Sequence, residues 1–168
     1  CTRSGHVFIY DGNQINLLIQ LSSRVRDIYV EAGLVYFSTD KGVFTIKDLN
    51  PASLTQFSNT VSTVMVLVDR FRNTWISTEN GLFVKPDKTE ELLLYIPDVE
   101  FNRGALAYHN DSIYAGSIEG LYVLDTYHAM KNVIPVKLSL IQADKKNSRN
   151  TILAISFLSL AVIMLTWF

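Results

Sequence analysis

The chain has 168 residues, 48% of them hydrophobic, and a formal net charge of −1. A chain of this length can bury a sizeable core, and near-neutral charge without a basic cluster leaves no electrostatic footprint for nucleic acid. The single cysteine, Cys1, excludes an internal disulfide.

In chain order, the first unit is partial. Cys1-Thr2-Arg3-Ser4-Gly5 lines up with Ser38-Thr39-Asp40-Lys41-Gly42 and with Ser77-Thr78-Glu79-Asn80-Gly81. A second unit follows, with short apolar runs at 25–30, 34–38, 43–47 and 54–57. The third repeats it at 61–68, 74–77, 82–85 and 92–96, and a further one at 104–108, 112–115 and 121–124. These runs alternate with period two, are rich in β-branched and aromatic residues, and are bounded by turn formers, so each predicts a strand. Pro51 and Pro86 set off the fourth run of their units.

The units share a frame. Gly42, Gly81 and Gly120 are each preceded at six residues by an aromatic (Tyr36, Trp75, Tyr114) and at three by a hydroxyl residue (Thr39, Thr78, Ser117). Another aromatic follows at two residues (Phe44, Phe83, Tyr122). The glycine permits the reversal between two strands, because positive φ costs it little. Four short antiparallel strands in each period of about 40 residues define the blade of a β-propeller. The expected fold is therefore all-β: a partial propeller of about three full blades plus half a blade, with blades near 1–20, 21–57, 58–97 and 100–141. The half blade at the start predicts a chain that is the tail of a longer protein, and residues 1–126 alone would expose two uncovered blade faces. The alignment of Cys1 with Ser38 and Ser77 argues against a lipidated first residue.

The run Asn73-Thr74-Trp75-Ile76-Ser77-Thr78-Glu79-Asn80-Gly81-Leu82-Phe83 resembles the signature of the two-component regulator propeller repeat, and residues 35–44 and 113–122 are degenerate copies of it. Tyr stands for Trp in two of the copies and Val43 for Leu in one. The resemblance covers residues 1–126. It implies a sensor propeller of a membrane-bound signalling protein, held in the periplasm at a bacterial inner membrane and acting as a homodimer of the full-length protein. Its output module, a histidine kinase or DNA-binding region, would follow residue 168.

Beyond the repeats, residues 133–141 alternate like a strand: either the fourth strand of the last blade or the vestige of a small Ig-like module. Gln142 to Asn150 is polar and carries Lys145, Lys146 and Arg149, a juxtamembrane linker. Residues 152–168 contain no charge, proline or glycine and predict a C-terminal transmembrane helix, with the membrane as partner. The three basic residues on its N-terminal flank point the propeller to the cytoplasm, whereas the family resemblance points it to the periplasm.

Catalytic chemistry is not expected in this segment. His6, His109 and His128 lie in different settings without metal-ligand spacing, and no nucleophile elbow or phosphate loop appears. No metal or cofactor is implied. Asp11, Asp48, Asp87 and Asp125 recur at the ends of hairpin strands, as turn formers rather than as a carboxylate array. Binding is the better expectation. Loops leading into the innermost strand of each blade converge on one face, which singles out Ser23-Arg24, Asn59-Thr60 and Asn102-Arg103, with Phe101 alongside. Arg24, Asn59, Asn102 and Arg103 are the candidate ligand-binding residues, suited to a carbohydrate or another small ligand through bidentate hydrogen bonds and ring stacking. Two functions fit: a ligand-sensing propeller that shifts paired transmembrane helices, or a membrane-anchored scaffold that binds protein partners and signals nothing.

Overall fold

The computed structural model describes residues 2–60 and 62–131. Cys1, the expected strand at 133–141, the linker and the expected transmembrane helix at 152–168 lie outside the described residues. Among those described, no helix is long and apolar enough to cross a membrane.

The described chain folds into four antiparallel sheets, formed one after another along the sequence. The first pairs β1 (His6–Tyr10) with β2 (Ile15–Gln20). The second is β3 (Val25–Glu31), β4 (Leu34–Thr39), β5 (Gly42–Lys47) and β6 (Asn50–Ser58); the third is β7 (Thr63–Val68), β8 (Thr74–Thr78), β9 (Gly81–Lys85) and β10 (Leu93–Pro97). The fourth holds β11 (Phe101–His109), β12 (Ser112–Ser117) and β13 (Leu121–Asp125), and α1 (Thr126–Lys131) follows it. Every strand pairs with its neighbour in sequence, so the pairings stay within each unit, as the period demands.

The repeat motif has a physical account at each position. Thr39, Thr78 and Ser117 donate their hydroxyls to the carbonyls of Gly42, Gly81 and Gly120 at 2.7, 2.9 and 3.1 Å. The same hydroxyls accept the amides of Lys41, Asn80 and Glu119 at 3.1, 3.0 and 3.1 Å, which closes each turn on both sides. Gly42 has φ 122°, and a β-carbon there would lie 2.2 Å from the carbonyl oxygen of Ser58 in the fourth strand of its own sheet. Gly81 repeats the approach, 2.5 Å from the Ile96 oxygen.

The two aromatics of each motif face opposite ways. Phe44 joins the apolar layer with Val7, Ile19, Val35 and Phe37, between the first and second sheets. Tyr36 and Phe83 share the next layer, with Val43, Val66 and Ile76, between the second and third. Trp75 and Tyr122 share the layer between the third and fourth, with Leu82, Phe101 and Ile113. The second and third sheets thus each send one aromatic forward and one back, the fourth sends Tyr122 back, and the core is a stack of these layers. The outward faces of the end sheets stay open: Tyr10, Ile15 and Leu17 are 66, 72 and 54% exposed on the first, and Leu121 and Val123 are 66 and 55% exposed on the fourth.

Several boundaries differ from the sequence expectation. β6 begins at Asn50 and runs through Pro51, which the proline suggested would lie outside it. Proline is tolerated because β6 is the edge strand of its sheet and its register shifts between Thr45 and Lys47, leaving no ladder bond for Pro51 to donate. β11 begins at Phe101, three residues before the expected start, so Asn102 and Arg103 are strand residues and not loop residues. Its register shifts between Phe101 and Leu106, and this irregular stretch hides the alternation in sequence. α1 was not foreseen: six residues are too few for a helical stripe. Asp125 caps it by accepting the His128 amide at 3.0 Å, and Ala129 anchors it in the core at 3% exposure.

Candidate functional site

The starts of β3, β7 and β11 lie at the same end of their sheets as the repeat glycines, because Val25 pairs with Thr39, Thr63 with Thr78 and Phe101 with Ser117. β7 packs against both β3 and β11. This end carries all four residues singled out from sequence. Arg24 is half-buried just before β3, and Asn59 is exposed just after β6. Asn102 and Arg103 are exposed on the irregular stretch of β11, beside Gly104 at φ 69°. Phe101, their aromatic neighbour, is buried at 3% exposure with its ring 5.8 Å from that of Tyr122, so it serves the core and offers no stacking face. No hydrogen bond or ion pair joins any of the four to another.

What the structure does join at this end is Arg26, Asp40 and Glu79. The Arg26 guanidinium bonds the Asp40 carboxylate through Nε and the Glu79 carboxylate through Nη1, spanning the second and third sheets. The backbone runs in parallel: Ser62 donates its amide to the Asp40 carbonyl at 3.1 Å, and Glu79 donates its own to the Ser62 carbonyl at 3.3 Å. The Arg26 side chain is only 10% exposed. Burial opposes its charge, yet the bonds from Glu79 and Asp40 outweigh that and raise its pKa. In return Arg26 holds the Glu79 carboxyl below the ordinary range. Next to it, burial pushes the Asp27 carboxyl above its ordinary value. Sequence reasoning missed Arg26, although a signal existed: counted from the repeat glycines, its position is held by Met65 in the next unit and Gly104 in the one after.

At the opposite end the acidic residues of the motif behave as turn formers or ion-pair partners. Asp11 accepts the amides of Asn13 and Gln14 at 2.8 and 2.9 Å, and these bonds, Gln14 first, lower its pKa. Asp48 has φ 50° and donates its amide to the Gly33 carbonyl at 2.7 Å. Asp87 accepts Nε of Arg72 at 3.1 Å. The His128 amide bond, and then its ring, lower the Asp125 pKa. His109 is exposed, and Nδ1 of His6 lies 2.8 Å from the Ser4 hydroxyl. Among the described residues no group of three or more His, Cys, Asp or Glu side chains could hold a metal ion.

Fold and site together define an all-β repeat protein with polar, charged turns gathered at the ends of its sheets. Neither family models nor curated proteins match the sequence. Among solved structures the chain is similar to the computationally designed Ika4 protein, at 13% identity with a TM-score of 0.56, over 73% of this chain and 81% of that one. It is also similar to the computationally designed Ika8 protein, at 16% identity with a TM-score of 0.56, over 73% of this chain. The match spans 41% of the Ika8 chain. At these identities the likeness concerns the fold alone.

Proposed function

We propose that the four sheets are successive blades of a β-propeller and that this propeller is the extracytoplasmic ligand-sensing segment of a membrane-bound signalling protein. The observation that carries the reading is the stacking of the units. Three apolar layers keep successive sheets face to face, and in two of them the forward aromatic of one sheet shares the layer with the backward aromatic of the next, Tyr36 with Phe83 and Trp75 with Tyr122. Their first strands β3, β7 and β11 lie side by side, as strands nearest a common axis would. A propeller built this way gathers its entry loops at one end, where Arg24, Asn59, Asn102 and Arg103 stand. The Trp75 motif supports the two-component family, and the apolar run at 152–168 supports anchorage in a membrane.

The ligand this end suits is a glycan. Arginine and asparagine side chains offer paired donors and acceptors to vicinal hydroxyls, and an arginine can hold a sugar carboxylate bidentately. A test is to present the full chain, in nanodiscs, to an array of neutral and acidic oligosaccharides. Binding that falls at least about tenfold in both Arg24→Ala and Arg103→Ala supports the site. Absence of any bound glycan, or binding untouched by both substitutions, removes the sensing role and leaves the scaffold that binds protein partners.

A further inference from the structure

At the end of the sheets opposite the repeat glycines, the second and third sheets part to leave a cleft of about 320 Å³. This lies within the range of small-molecule sites. Tyr36 and Phe57 form one wall, edge to face with ring centroids 5.5 Å apart, and Val68 adds to the apolar surface. Three cations line the cleft as well: Arg70, Arg72 and Lys85.

Two of these cations arrive on a turn that the other units lack. β3 and β4 are joined by Ala32 and Gly33, and β11 and β12 by Asn110 and Asp111, whereas β7 and β8 are joined by five residues, 69–73. In repeat proteins such insertions fall in loops and often line a binding surface. The turn is also built to hold one shape. Its Asp69 carboxylate accepts the amides of Phe71 and Asn73, the Asn73 side-chain amide and the Trp75 indole N–H, each at 2.9 Å. Within this frame Arg72 sits at φ 66°, a conformation that favours glycine.

Most of the acidic side chains around the cleft are already engaged. Asp69 is filled by four donors. Asp111 is taken by Nε of Arg70 at 2.8 Å and the Tyr108 hydroxyl at 3.0 Å, and Asp87 by Nε of Arg72 at 3.1 Å. Both guanidinium groups bond through Nε, which leaves their terminal amino groups as donors beside an apolar wall. Glu31, across the cleft, adds a negative charge that disfavours a second anionic group on the same ligand.

We infer that this cleft binds a small organic acid with one carboxylate and an apolar body. The carboxylate is held by the terminal amino groups of Arg72 beside Arg70, and the body lies against Tyr36, Phe57 and Val68, while Lys85 is engaged by Glu90 at 3.0 Å and by the Phe57 ring, 4.6 Å from its centroid. The inference does not rest on the propeller or glycan reading, since the site lies at the other end of the sheets.

The test titrates the full chain in detergent micelles with phenylacetate, phenylacetamide and inorganic phosphate, followed by calorimetry. The Arg72 side chain is 77% exposed, so Arg72→Gln leaves the fold intact, which circular dichroism checks. The expected result is saturable phenylacetate binding, at least about tenfold weaker in Arg72→Gln, with the amide and phosphate binding at least about tenfold less well. Arg103→Ala leaves phenylacetate binding unchanged. Absent phenylacetate binding, equal binding by Arg72→Gln, or an amide or phosphate that matches phenylacetate overturns the inference. So does a loss confined to Arg103→Ala, which would place the acid at the glycine end.

Discussion

The indole N–H of Trp75 donates to Oδ2 of Asp69 at 2.9 Å, and both side chains are buried, at 0 and 4% exposure. One bond therefore ties the first residue of the five-residue turn between β7 and β8 to the aromatic that fills the layer between the third and fourth sheets. The ring of Trp75 also meets Tyr95 edge to face at 5.5 Å.

Asp69→Ala removes the acceptor for four donors at once: the indole and both Asn73 groups are left buried without it, and the Phe71 amide part-buried. Each orphaned group costs about 1–3 kcal/mol, and relaxation of the turn recovers part, so a net loss of about 3–5 kcal/mol is expected. Trp75→Phe removes one donor and costs less. Urea unfolding followed by circular dichroism measures both. An Asp69→Ala midpoint within error of the parent would show that the turn stands without its carboxylate.

Gly42→Ala is expected to cost at least about 2 kcal/mol. A β-carbon there meets the Ser58 oxygen at 2.2 Å, and φ 122° is unfavourable for alanine as well. Gly12 provides the control. Its φ is 98°, but a β-carbon there meets nothing within 4 Å, so Gly12→Ala carries conformational strain of about 1 kcal/mol and no clash. Equal melting temperatures for the two variants would refute the close approach of β6 to the turn.

The strand pairings and the motif were legible in sequence because both are local. A hairpin joins neighbours, and the triplet of hydroxyl, turn and glycine closes within four residues, as Thr39 and Gly42 show. Arg26 stood out against Met65 and Gly104, but its ion pair was not legible, because Glu79 lies in another unit and only packing of the sheets brings the two together. The start of β11 was hidden for a different reason. Asn102, Arg103 and Gly104 are polar or small, exposed and out of register, so nothing alternates. Phe101 looked like a stacking partner for a ligand from its neighbours alone, and its burial follows from the position of Tyr122, which is twenty-one residues away in sequence.

Arg26→Gln is expected to lower stability in a pH-dependent way. The Glu79 carboxyl has its pKa depressed in the folded chain by Arg26. The stabilisation is therefore present above the unfolded glutamate pKa and is lost as pH falls through the lower, folded value. Because Asp40 and Glu79 are 40 and 43% exposed, screening limits the loss at neutral pH to about 1 kcal/mol. Melting temperatures of parent and variant should differ at pH 7 and converge in strong acid, and the gap should narrow in high salt. A gap that persists at pH 2 would show that Arg26 acts through its packing and not through its charge.

Ser77 carries the last expectation, of opposite sign. Its hydroxyl is buried, at 1% exposure, and has no hydrogen-bond partner among the described residues. It lies on β8 between Ile76, which faces the second sheet, and Thr78, whose own hydroxyl closes the glycine turn. A buried hydroxyl without a partner has lost its hydration and gained nothing in exchange. Replacing it with hydrogen removes that cost and opens a space too small to matter. Ser77→Ala should therefore be neutral or stabilising by up to about 1 kcal/mol, the reverse of most core substitutions. The same change at Thr78, whose hydroxyl bonds both Gly81 and Asn80, should destabilise by about 1 kcal/mol. If thermal melts instead ranked Ser77→Ala below Thr78→Ala, the Ser77 hydroxyl would have to hold a bond that the packing of β8 does not provide.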